Sequence, residues 1–110
     1  MKQYVVDQLS DDDFQKLRAY LEKNYGKPVF DSIFWLPVEK SALSEVQQAH
    51  VDCQPFYTVV ELQPKQLVCE LLVRTKDKMR CDCMGYATEQ QRNGIIELVD
   101  GILGQLEINI

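Results

Sequence analysis

The sequence predicts a single α+β domain over residues 1–110, its elements in the order βαβαβββα. An antiparallel β-meander carries the C-terminal helix on one face. Three observations lead there. The chain has 110 residues, 45% hydrophobic and 26% charged, which suits one soluble domain able to bury its own core. Two segments open with a hydroxyl residue and a polar partner three positions later, then place apolar residues at helical spacing. Between them lie short runs that alternate apolar and polar, the period of half-buried strands.

Tyr4-Val5-Val6 is the first expected strand. Ser10 opens a helix, with Asp13 as its reciprocal cap and Asp11 and Asp12 complementing the helix dipole. Phe14, Leu17, Tyr20 and Leu21 give this helix its apolar side, and it should stop near Gly26-Lys27-Pro28. The Asp11–Asp13 triplet lacks the spaced oxygen ligands of a calcium loop and is read as capping. Ile33-Phe34-Trp35-Leu36 forms the second strand, closed by Pro37. A short helix over 41–50 is expected to start at Ser41, with Leu43 and Val46 turned inward.

The last third predicts strands near 56–62, 67–74 and 79–86, then a helix over about 88–106. The turns are Gln63-Pro64-Lys65-Gln66 and Lys76-Asp77-Lys78. Parity fixes the register, because a one-residue slip would turn every side chain to the other face. Pairing Leu62 with Leu67 sets Val60 beside Cys69, Thr58 beside Leu71 and Phe56 beside Val73. The next hairpin then sets Val73 beside Cys81, Leu71 beside Cys83 and Cys69 beside Gly85. One face becomes apolar: Phe56, Val60, Leu62, Leu67, Cys69, Leu71, Val73, Met79, Cys81 and Cys83. The last helix should cover it. That helix opens at Thr88, with Gln91 as reciprocal cap, and bears Ile95, Leu98, Val99, Ile102 and Leu106 on one stripe, widened by Ile96 and Leu103. Gly94, Gly101 and Gly104 each cost about 1 kcal/mol of helix propensity, for which close packing and frayed turns are equal explanations.

Composition excludes several functions. Twelve basic against seventeen acidic residues leave a net charge of −5, the wrong sign for general phosphate-backbone binding, so no nucleic-acid partner is expected. The longest apolar run is Ile33–Leu36, and the first residues lack an apolar signal region, so membrane insertion and secretion are not expected and a cytoplasmic location is. No hydrolase elbow, phosphate loop or dinucleotide fingerprint is present, and His50 is the only histidine. The expected protein is therefore not an enzyme and needs no cofactor.

The four cysteines, Cys53, Cys69, Cys81 and Cys83, pose the sharpest question. With His50 they offer His-x-x-Cys and Cys-x-Cys, enough ligands for tetrahedral zinc. Sulfur ligands must approach within about 4 Å of one another. On a regular strand, however, Cys81 and Cys83 would have Cα atoms roughly 6.5–7 Å apart. The same argument disfavours a disulfide between them. His50 and Cys53 could share a helix face only if the helix ran past Val51, which Gln54-Pro55 opposes. Packed core thiols are the expectation, and the metal or redox site built from His50, Cys53, Cys81 and Cys83 is the alternative.

The meander's outer face carries Tyr57, Val59, Glu61, Val68, Glu70, Leu72, Arg74, Arg80, Asp82, Met84 and Tyr86. Glu61 and Glu70 there are read as solvated charges. So is the basic run from Arg74 to Arg80, which deters edge pairing. Six of these residues are apolar or aromatic, an interface composition rather than that of a wetted sheet face. The leading expectation is a small acidic interaction or adaptor protein that dimerises through Tyr57, Val59, Leu72, Met84 and Tyr86, with Arg74 and Arg80 at the rim; its partner is itself or another protein. Internal cover by Phe34 and Trp35 is the competing account. A third reading is a small-ligand sensor with a pocket between the sheet and the last helix.

Overall fold

The computed structural model describes residues 2–76 and 81–109. The α+β class holds: an antiparallel four-stranded sheet with helices packed against it. Strands β1 (Gln3–Val6), β2 (Ile33–Pro37), β3 (Tyr57–Gln63) and β4 (Gln66–Glu70) lie in the spatial order β1-β4-β3-β2. Helix α1 spans Asp11–Tyr25 and α3 spans Glu89–Gln105, with a short α2 (Glu45–Ala49) between them in sequence.

Alternation decides which face the helices cover. Phe34, Leu36, Val60, Leu62, Leu67 and Cys69 share one buried cluster with Leu17 and Leu21 of α1 and Ile95, Val99, Ile102 and Leu103 of α3. Removing these side chains from water is the principal gain that opposes chain entropy. The caps behave as their sequence implies. Ser10 Oγ accepts from the Asp13 N–H at 3.0 Å and Asp13 Oδ2 accepts from the Ser10 N–H at 3.1 Å. Thr88 and Gln91 repeat the arrangement at 3.2 and 3.0 Å. Helix α1 ends at Gly26, whose φ of 86° lies where side chains are rarely tolerated. A Cβ placed on Gly94, Gly101 or Gly104 would meet nothing within 4 Å, so close approach does not explain these glycines. Leu98 faces partly outward, 37% exposed.

The β3–β4 hairpin follows the parity register, with Leu62 opposite Leu67 and Val60 opposite Cys69. Beyond Cys69 the expected register fails. Tyr57 pairs with Arg74 through two backbone bonds of 2.7 and 2.8 Å, so Thr58 and Val59 face the four residues Glu70–Val73. The extra residues form a bulge, and Thr58 Oγ1 donates to the Glu70 carbonyl at 2.8 Å to satisfy it. The expected neighbours Thr58–Leu71 and Phe56–Val73 are therefore replaced.

The third meander strand shrinks to β6 (Gly85–Tyr86), paired with β5 (Leu72–Val73) in a separate two-stranded ladder. Its register is Leu72 with Tyr86 and Val73 with Gly85, so Val73–Cys81, Leu71–Cys83 and Cys69–Gly85 do not pair. Residues 81–84 instead make a turn closed by the Met84 N–H on the Cys81 carbonyl at 3.0 Å. The expected turn at 76–78, Met79 on the inner face and Arg80 at the rim fall wholly or partly on residues 77–80, outside the described residues.

Helix α2 starts three residues later than expected. Ser44, not Ser41, is its cap, reciprocated by Gln47 at 3.3 and 3.0 Å. Ser41 lies in a single-turn 3-10 helix, Lys40–Ala42. With that phase Leu43 is buried, Val46 is 46% exposed, and the inward position goes to Gln47.

Candidate metal centre

The bulge and the shortened third strand split the core in two. Leu43, Cys53, Phe56, Val73 and Cys83 form a second buried cluster, flanked by Val38, Cys81, Met84 and Ala87. The four candidate ligands gather at this cluster. Helix α2 stops at Ala49, and the chain passes through His50 into a single 3-10 turn, Val51–Cys53. The Cys53 N–H bonds the His50 carbonyl at 3.0 Å. A 3-10 turn stacks residues three apart on one side, and the Cys53 sulfur lies 3.9 Å from His50 Nδ1. Helical continuation, which Gln54-Pro55 argued against, is thus achieved by a tighter turn.

The 81–84 turn supplies the other pair. Cys81 Sγ stands 3.1 Å from His50 Nδ1 and 3.8 Å from Cys53 Sγ. All four ligand atoms of His50, Cys53, Cys81 and Cys83 lie within 4.8 Å of one another. The objection that Cys81 and Cys83 stand apart on one regular strand does not hold, because that segment is a turn. Zinc–sulfur bonds of about 2.3 Å in a tetrahedron imply sulfur–sulfur edges of about 3.8 Å, and zinc–nitrogen bonds of about 2.0 Å imply mixed edges of about 3.5 Å. The observed separations, from 3.1 Å to at most 4.8 Å, bracket these edges, so one ion fits among the four atoms with shifts of up to about one ångström. Three thiols and an imidazole form a soft donor set, suited to zinc and poorly suited to calcium or magnesium.

The electrostatics divide the thiols. Cys81 is lowered to about 6, first by the Cys83 backbone N–H donating to its sulfur, then by the Cys83 thiol, His50 and Cys53, against an opposing effect of burial. Cys83 is raised to about 12 by burial first and by its neighbouring thiols second. The cluster therefore holds a thiolate at Cys81 near neutral pH, and an arriving cation would displace a proton from Cys83. Cys53 and Cys83 are buried, while His50 and Cys81 are half-buried and leave a path from solvent. Cys69 is separate: it is fully buried in the main core, and burial pushes its thiol up to about 12.

The proposed interface residues are less united. Tyr57 meets Trp35 edge-on at 5.8 Å, and Lys76 lies 4.5 Å from the centre of the Tyr57 ring. Val59 is buried within its own chain, and Met84 packs against the second cluster. Leu72 and Tyr86 are paired neighbours, with Tyr86 57% exposed. Arg74 is bound to Glu70 at 3.0 Å, and Glu61 accepts from Gln63 rather than facing Glu70.

A cavity of about 540 Å³ lies between α3 and the end of β2, bordered by Tyr25, Val38, Ala42, Gln91, Ile95 and Leu98. The sequence also gave no notice of Tyr4, whose hydroxyl donates to Asp100 Oδ1 at 2.5 Å, or of Arg18, which holds Asp31 at 2.6 Å. Both contacts join segments whose proximity no local pattern records. No helix among the described residues is long and apolar enough to cross a membrane. No protein-family model matches this chain, and comparison with curated proteins and solved structures finds no similar protein.

Proposed function

We propose that this protein binds a single zinc ion through His50, Cys53, Cys81 and Cys83, in a closed site that is structural rather than catalytic. The observation that carries the reading is the convergence of four ligand atoms, from segments about thirty residues apart in sequence, to within 4.8 Å of one another. Four protein ligands leave no position for substrate, the mark of structural zinc. The ion would tie the 50–53 turn to the 81–84 turn beside a small second core. Four free cysteines suit a reducing compartment, which agrees with a cytoplasmic location.

Native mass spectrometry of reduced protein titrated with zinc tests the proposal. The expected result is one ion per chain, lost in Cys53→Ala and in Cys81→Ser but retained in Cys69→Ala. Folded, reduced protein that takes up no zinc would refute it.

Self-association is the second reading, favoured by the exposure of Tyr86 beside half-buried Leu72. With Val59 buried and Met84 packed partly against the second cluster, its centre is the Leu72–Tyr86 ladder rather than the whole outer face. The two readings are compatible.

A further inference from the structure

Two buried glutamines link the zinc ligands to the start of α3. Gln47 is 5% exposed and Gln91 is 2% exposed. Each is the reciprocal residue of its own helix cap: Gln47 Oε1 accepts from the Ser44 N–H at 3.0 Å, and Gln91 Oε1 accepts from the Thr88 N–H at 3.0 Å. A capping box by itself asks this residue to serve only its own helix. These two also reach each other. Gln91 Nε2 donates to Gln47 Oε1 at 2.7 Å and to the Ala42 carbonyl at 3.0 Å. Gln47 Nε2 donates to the carbonyl of Cys83, one of the four ligands, at 3.0 Å.

Both amide protons of Gln91 are used, and Gln47 Oε1 accepts two bonds, so neither side chain can turn without stranding a buried polar atom. The path runs from the Cys83 carbonyl through two side chains to the first turn of α3, each link a direct hydrogen bond. Outer partners of a metal site orient its ligands, and by reciprocity a ligand fixed by metal orients its partners. Ala42, Gln91 and Ile95, which this network touches or adjoins, line the cavity beside α3.

We propose that zinc occupancy at His50, Cys53, Cys81 and Cys83 is transmitted through the Gln47–Gln91 amide pair to the first turns of α3, so that the metal fixes the cavity wall formed there. The inference rests on the zinc site proposed above. Its two positioning residues touch no metal; they act through the Cys83 carbonyl.

Hydrogen exchange on the full chain, metal-free and zinc-loaded under reducing conditions, tests it. In the wild type, zinc should slow exchange over residues 88–95 by about tenfold or more, while those amides of residues 3–21 that exchange by local opening rather than global unfolding change by less than about twofold. In Gln91→Met, zinc should still bind one per chain, but the slowing over 88–95 should fall below about threefold. If Gln91→Met does not fold, Gln47→Met makes the same cut on the other side of the pair. Protection at 88–95 that is unchanged in the variant, absent in the zinc-loaded wild type, or matched over the locally opening amides of residues 3–21 overturns the inference and leaves the zinc site standing. Failure of the wild type to bind zinc overturns the zinc site itself.

Discussion

Removing zinc should lower the melting temperature by an amount set by mass action and chain size. A ligand that binds only the folded state, held free at one hundred times its dissociation constant, stabilises by about 2.7 kcal/mol. Unfolding entropy near 60 °C is about 2.1 cal/mol/K per residue. For the 110 residues here the conversion is about 0.23 kcal/mol per degree, and the expected shift is about 12 °C. The metal-free chain should still fold, because the main cluster, sixteen buried residues among those described, contains none of the four candidate ligands. Circular-dichroism melts in chelator and in buffered zinc, both with a phosphine reductant, give the shift directly. Cys81→Ser alters one half-buried group, so its chelator melt should stay within about 4 °C of wild type, in line with modest effects at partly exposed positions. Its zinc-dependent shift should nearly vanish. A wild-type shift below about 3 °C at this zinc excess, or an undiminished shift in Cys81→Ser, would refute the argument.

Leu72→Glu should leave a folded monomer by sedimentation if the Leu72–Tyr86 ladder is a dimer contact; a wild type already monomeric at tens of micromolar, a concentration at which weak dimers of this kind associate, rules that contact out. Cys69 has a folded pKa raised from 9.0 to about 12, so its share of stability is intact below pH 9 and is lost as pH climbs toward 12. Between those limits urea titrations of wild type should fall more steeply than those of Cys69→Ala, by about 1.4 kcal/mol per pH unit; parallel curves would contradict the assigned burial effect. Gly101→Ala adds a methyl group in open space and should raise stability by about 1 kcal/mol in urea titration, whereas a loss would reveal a contact at that position.

Local signals predict what local physics decides. The caps at Ser10 and Thr88, the stop at Gly26 and the Leu62–Leu67 register depend on residues within a turn or a hairpin of each other, and all are legible in the sequence. Ser44-x-x-Gln47 is as clear a capping box as Thr88-x-x-Gln91, so the true start of α2 was legible too, although Ser41 competes for it. The third strand fails for a different reason. Cys81, Asp82, Cys83 and Met84 alternate as a strand does, but a turn that aims two thiols at one point alternates in the same way. What selects the turn lies elsewhere in the chain: the bulge opposite Thr58 and Val59, and the grip of Gln47 on the Cys83 carbonyl. The candidate metal site was legible as a set of residue types, and its geometry was not, because it depends on those distant contacts.

The strand order carries a consequence for how the chain is made. Among the described residues β1 takes its place in the sheet beside β4, Gln3 opposite Glu70, so a chain emerging from the ribosome N-terminus first carries β1 without that neighbour until residue 70 has appeared. Helix α1 can wind early from its own cap, yet the sheet that receives Leu17 and Leu21 comes later. The candidate ligands arrive in the same halting order. His50 and Cys53 emerge as a two-donor half-site well before Cys81 and Cys83, and for that interval a soft cation or an oxidant meets an incomplete set. At translation rates of about 5–20 residues per second that interval lasts a few seconds.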